Sequence, residues 1–161
     1  MRRNKELANR LEEVLLNGNW IAGTNFKSQL ENVNWKQATQ KIEPLNTIAS
    51  LTFHVNYYLA GILKVFKGGN LEIKDKYSFD LPNIDSEDSW RILVNEFLAN
   101  SKAFVKEVSK IPDETLDKPF VIEKYGTYLR NIEGVIEHCY YHLGQISFIK
   151  RVIIQNENLN H

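Results

Sequence analysis

His138 and His142 stand four residues apart in the stretch Ile136-Glu137-His138-Cys139-Tyr140-Tyr141-His142-Leu143-Gly144-Gln145-Ile146. On a helix that spacing is about 400° of rotation and ~6 Å of rise, so both imidazoles occupy one side, one turn apart. They are then close enough to share a cation. A third imidazole, His54, lies in another apolar helical segment running from Ile48 to Leu59. The expectation is that the three rings meet between two helices and hold a divalent metal with open coordination positions. Three neutral imidazoles are the protein ligands of catalytic zinc sites of the carbonic anhydrase kind. An ion held in this way lowers the pKa of bound water to ~7, or keeps a bound thiol as the thiolate. Imidazole also suits nickel, copper and iron, and the number of rings alone does not choose among them.

An isolated His-x-x-x-His pair is a weak signal, and a buried network of His, Tyr and Gln without metal is the alternative. The neighbours on the two stripes favour metal. The face through His138 and His142 continues through Gly134 and Gln145, and the face through His54 includes Ser50, Tyr58 and Gly61. An unpaired buried polar group costs ~1–3 kcal/mol, so a core built for stability alone would carry Leu at such positions. Other metal motifs are excluded. A zincin requires Glu directly after its first His, where this chain has Cys139, and a di-iron bundle requires Glu three residues before each helical His. Those positions hold Leu51, Val135 and Cys139. Nothing marks a haem attachment motif, and the single methionine is Met1. The fourth histidine, His161, is the terminal residue and is left out of the set.

Elements able to position these rings follow from hydrophobic spacing. A first helix over about Arg3–Leu16 carries Leu7, Leu11, Val14 and Leu15, with Gly18 as its stop. The next stretch, Asn19 to Asn46, is irregular, with short helices expected at about Asn25–Glu31 and Asn34–Thr39. Its Trp20, Phe26, Leu30 and Trp35 are expected to pack on the core. The second long helix begins at Asn46 or Thr47 as N-cap and ends at Gly68-Gly69. A polar connection from Asn70 to Asp85 leads to a third helix over about Ser86–Lys110, capped by Ser86, with Glu87 and Asp88 favourable in its first turn. Phe120-Val121-Ile122 is expected to be briefly extended before a fourth helix starts near Tyr128. Four long amphipathic helices without paired strands imply an all-α chain, a four-helix bundle with long connections and one domain over residues 1–161.

Composition narrows the function. The 161 residues carry 20 basic and 20 acidic side chains, so no net field draws the chain to nucleic acid or an anionic membrane. No apolar run approaches the ~18 residues of a membrane span and no apolar leader opens the chain, which makes a cytoplasmic protein the expectation. The one cysteine, Cys139, allows no internal disulfide and no cysteine-based zinc site.

One His on the second helix, followed on the fourth by His-x-x-x-His-x-x-Gln-Ile at His138, His142, Gln145 and Ile146, resembles the DinB/YfiT-like superfamily of bacterial metal-binding four-helix bundles. The segment Gly18-Asn19-Trp20-Ile21-Ala22-Gly23 and the Asn46-Thr47-Ile48 start of the second helix are also similar to that group, and the likeness covers nearly the whole chain. The resemblance implies that His54, His138 and His142 are the metal ligands, with zinc or nickel as the metal and a homodimer as the assembly. Members include bacillithiol-dependent S-transferases and a mycothiol-dependent maleylpyruvate isomerase. A small-molecule substrate and a low-molecular-weight thiol are therefore the partners expected, with neither nucleic acid nor membrane.

The leading reading is a metal-dependent S-transferase that presents a thiolate to an electrophile. Its rivals are a metal-dependent hydrolase and a non-catalytic metal or ligand-binding stress protein. Tyr58, one turn after His54, is a candidate donor to substrate, or else a core or interface tyrosine. Gln145 is a candidate to orient His142 or a bound water, or else a polar cap on the cavity. Glu137 and Cys139 each lie about 100° from the metal face, Glu137 toward solvent or a neighbouring helix and Cys139 in the core. No carboxylate shares the histidine stripes, which favours thiolate chemistry over hydrolysis.

Overall fold

The computed structural model describes residues 2–159, and every regular element among them is helical, apart from a single isolated bridge between Pro119 and Thr127. The all-α class read from the hydrophobic spacing is what the structure has. None of the described helices is both long and apolar enough to cross a membrane.

Helix α1, Arg3–Glu12, runs on into a π-helical turn, Glu13–Asn17. Leu7, Leu11, Val14 and Leu15 are all buried. The turn closes where Gly18 donates its N–H to the Glu13 carbonyl over 3.1 Å. A Cβ on Gly18 would lie 2.6 Å from the Glu13 Cα, so only glycine permits this close approach. Short helices α2, Phe26–Glu31, and α3, Trp35–Thr39, start on Asn25 and Asn34, whose side chains accept from the third backbone N–H of each helix. Phe26 and Leu30 are fully buried. Trp20 is not: 87 % of it is exposed, contrary to the packing expected from its size. It occupies the turn after Gly18, where the Glu13 carboxylate accepts the Ile21 N–H and holds the segment outside the core.

Helix α4, Ile48–Phe66, is capped by Thr47, and α5, Glu87–Val108, by Ser86, each in a reciprocal capping box with the serine three residues on. Ile48, Leu51, Val55 and Leu59 of α4 share one buried core with Trp90, Phe97 and Phe104 of α5. The Trp90 indole N–H donates to the Val33 carbonyl over 2.7 Å, which satisfies the one polar atom that so large a buried ring carries. A four-residue helix, α6, Asp113–Leu116, falls in the connection between α5 and the last long helix. Phe120 donates to the Gly126 carbonyl, but Val121 has φ of +60°, and that left-handed step breaks the extended run expected over 120–122. Helix α7, Tyr128–Leu159, then spans 32 residues and buries Ile132, Val135, Ile136, Leu143, Ile146, Ile149 and Ile153. It packs against α4, and α4 packs in turn along α5.

Ser86→Ala removes the hydroxyl that caps α5 and is expected to lower the unfolding free energy by about 1 kcal/mol in urea titration, with metal binding unchanged.

Candidate metal centre

Three rings from two helices meet at the α4–α7 seam. His54 is carried by α4 between the buried Leu51 and Val55, and His138 and His142 by α7 beside the buried Val135, Cys139 and Ile146. Aliphatic packing on both sides of each histidine fixes the helix rotation and with it the direction of each ring. The His138 Nε2 atom lies 3.0 Å from the His54 Nε2 and 2.9 Å from the His142 Nε2. His54 and His142 are buried at 8 % and 6 % exposure, while His138 is half-buried and borders solvent. The three residues named from spacing alone thus form one cluster with donor atoms within 4.8 Å of one another, and they can hold a metal ion.

The protons on these rings are dictated by their outer nitrogens. His54 Nδ1 is 3.2 Å from the Ser78 carbonyl oxygen, and His142 Nδ1 is 2.6 Å from Gln145 Oε1. Both oxygens can only accept, so each Nδ1 carries the proton and each neutral ring turns a bare lone pair inward at Nε2. Both lone pairs are aimed at His138 Nε2, and one proton there could satisfy only one of them. A divalent cation accepts all three nitrogens together. Backbone and amide acceptors behind ligand imidazoles are the usual means by which proteins orient them. The donor set therefore fits a metal.

Electrostatics supports the same protonation state. Burial pushes the His138 imidazole down from 6.5 to about 4, aided by its neighbours His142 and His54. Burial, then His142, lowers His54, with the Ser78 carbonyl opposing; burial lowers His142, with Gln145 opposing. All three rings are neutral near pH 7, as metal ligands must be. Burial pushes the Cys139 thiol up to about 12, which makes it core packing rather than a nucleophile.

The connection between α4 and α5 supplies contacts that helical stripes could not reveal. It lies close on α4 because Gly61 has no side chain: a Cβ there would meet the Ile73 Cγ2 at 2.3 Å. Phe79 stacks on the His54 ring at 4.0 Å between centroids, and Asp75 Oδ1 accepts the Tyr58 hydroxyl over 2.9 Å. Ser78, Phe79 and Asp75 are thus residues of the site that sequence reasoning missed. Only the polar composition of residues 70–85 hinted at them. A carboxylate does reach the edge of the cluster, from a loop rather than from either histidine stripe. Burial, with help from Asp75, raises the Tyr58 phenol above its ordinary 10, so it is protonated at neutral pH.

A cleft of about 420 Å³ opens beside His138, with Tyr58, Ile62 and Tyr125 on its walls and Arg130 and Gly134 along its floor. Tyr58 reaches both the cleft and the cluster, its ring 5.1 Å from that of His54 and 5.3 Å from that of His138. Gln145 lies behind His142, away from this opening. Glu137 is exposed and pairs with Arg130 at 3.1 Å. His161 lies outside the described residues.

Compared with models of known protein families, with curated proteins and with solved structures, the chain matches none.

Two outcomes follow from this geometry. With chelator present, stability toward urea should level off above about pH 7.5 and fall as pH drops through 6.5 toward 5. Across that window the unfolded histidines take up protons that the folded ones, with their lowered pKa values, refuse. Gln145→Leu leaves the His142 Nδ1–H without its acceptor and is expected to weaken zinc binding about 10- to 100-fold in a competition titration.

Proposed function

We propose that this chain is a metal-dependent enzyme of the thiol S-transferase type, built as a four-helix bundle of the DinB/YfiT-like kind. The observation that carries the reading is the convergence of three Nε2 atoms, two of them forced to be lone pairs by their outer hydrogen bonds, at the wall of an open cleft. A closed structural site would have no reason to place its half-buried ligand, His138, beside so large an opening. When bound, a divalent ion such as zinc or nickel supplies the Lewis acidity that keeps a low-molecular-weight thiol as its thiolate, ready to attack an electrophile.

The chain's own residues do the remainder. Ser78 and Gln145 hold His54 and His142 in the ligating tautomer. Phe79, stacked over His54, screens that ring from water on the side facing the connection. Tyr58, which lines the cleft, donates its hydroxyl to Asp75, and this pair can hold or release a proton there. Ile62 and Val135 give the cleft an apolar wall for the body of a small substrate.

The Tyr58–Asp75 pair also favours a second reading, hydrolysis of an ester or amide, because that reaction requires an acid or base beside the ion. Activity separates the two. Metal-loaded protein should accelerate conjugation of a small thiol to monochlorobimane and leave p-nitrophenyl acetate at its background rate. Protein purified without a tag should hold about one divalent ion per chain, absent in His138→Ala, and added thiol should alter the spectrum of the cobalt form. Tyr58→Phe should keep the metal and lower kcat about 10²-fold. An unchanged cobalt spectrum would mark a closed, non-catalytic site.

A further inference from the structure

Gly134 is the midpoint of a strip on α7 that starts at Arg130 and ends at His138, each one turn from the next. A glycine inside a 32-residue helix is destabilising relative to alanine, and close packing against a neighbour is the common compensation. Here there is no such neighbour: a Cβ at Gly134 would meet nothing within 4 Å. Its bare backbone instead forms part of the cleft floor. The missing side chain therefore creates space next to the histidine cluster rather than room for another element.

The same space is lined by a cation. Arg130 lines the cleft and runs along the helix to Glu137, with Nη1 at 3.1 Å from both carboxylate oxygens. This pair is about 60 % exposed on both sides, so it is weak and easily exchanged. It engages one nitrogen of the guanidinium fork, whose planar geometry matches a carboxylate through two parallel N–H donors. Asn131, next in the chain, donates to the carbonyls of Tyr125 and Thr127 at 2.7 and 2.8 Å, which holds the Tyr125 turn at the cleft rim.

From this juxtaposition we infer that Arg130 and Gly134 set substrate specificity: the cleft takes a small organic carboxylate, its acid group on the Arg130 guanidinium and its apolar body over Gly134, directed toward His138. The inference rests on the cleft being the substrate site of the proposed enzyme, but not on which metal or thiol it uses. Arg130 acts by positioning, and Gly134 by leaving volume.

The test compares 3-phenylpropionate with 3-phenylpropan-1-ol, two ligands of one shape that differ in charge, titrated into ¹⁵N-labelled protein with and without zinc. The acid should bind about ten-fold more tightly than the alcohol in both forms, the scale of one charge-assisted pair. Arg130→Met should abolish the preference while the alcohol still binds. Glu137→Gln, which removes the competing carboxylate, should tighten the acid further. Gly134→Leu should abolish binding of both ligands without lowering the melting temperature, and Gly134→Ala should raise that temperature. Equal binding of acid and alcohol, binding of neither, or a preference that survives Arg130→Met would each overturn the inference. Because the titration is read on metal-free protein as well, its failure is distinct from failure of the metal reading, which shows as missing metal or a silent cobalt spectrum.

Discussion

Two inward lone pairs aimed at a third imidazole nitrogen are the constraint around which this fold is arranged. A buried ring nitrogen without a partner is costly, and the chain places several within contact distance of one another. The arrangement is held by hydrogen bonds that the far sides of two rings donate to the Ser78 carbonyl and the Gln145 amide oxygen. Remove those acceptors and the tautomers are free to change, after which the cluster becomes an ordinary polar network. With them, the site is set to receive positive charge. The same logic accounts for the packing beside it, since α4 and α7 can present rings to each other only if their aliphatic flanks fix their rotation.

Polarity in the site is graded. His54 and His142 are buried and braced, whereas His138 meets solvent and the cleft. Desolvation suppresses the charged form of all three, so the cluster is neutral near pH 7, the state in which imidazoles can ligate a metal. Among the described residues, charge appears at the margins, as Asp75 behind Tyr58 and as the exposed Arg130–Glu137 pair on the helix surface. A neutral interior with ionic groups at its edge suits a reaction in which an ion supplies the central charge and the protein orients what approaches it. Cys139, one residue from a proposed ligand, is excluded from that chemistry by complete burial.

Several elements were legible before any coordinates. The 3.6-residue spacing of apolar side chains placed the long helices, and Ser86 and the Asn46-Thr47 pair marked helix starts because hydroxyl and amide oxygens satisfy backbone N–H groups there, a role that the structure gives to Thr47 of that pair. Trp20 was misjudged because size argues for burial only when the backbone can turn the ring inward, and the turn after Gly18 does not. Residues 70–85 showed only a polar composition. Their contribution is made through one backbone carbonyl, one stacked ring and one carboxylate, and none of these follows a periodic pattern.

What the sequence by itself determined is the pairing of His138 with His142 and the orientation of Gln145 toward the same face, because helical geometry converts separations of three and four residues directly into proximity. Tertiary structure alone decided whether His54, 84 residues away from His138, would complete the set. It also decided that a loop would brace that ring, and that the floor of the cleft would be left open at Gly134. Those outcomes depend on the relative rotation and spacing of α4 and α7, which arise from the packing of many aliphatic side chains together and from no local run of residues.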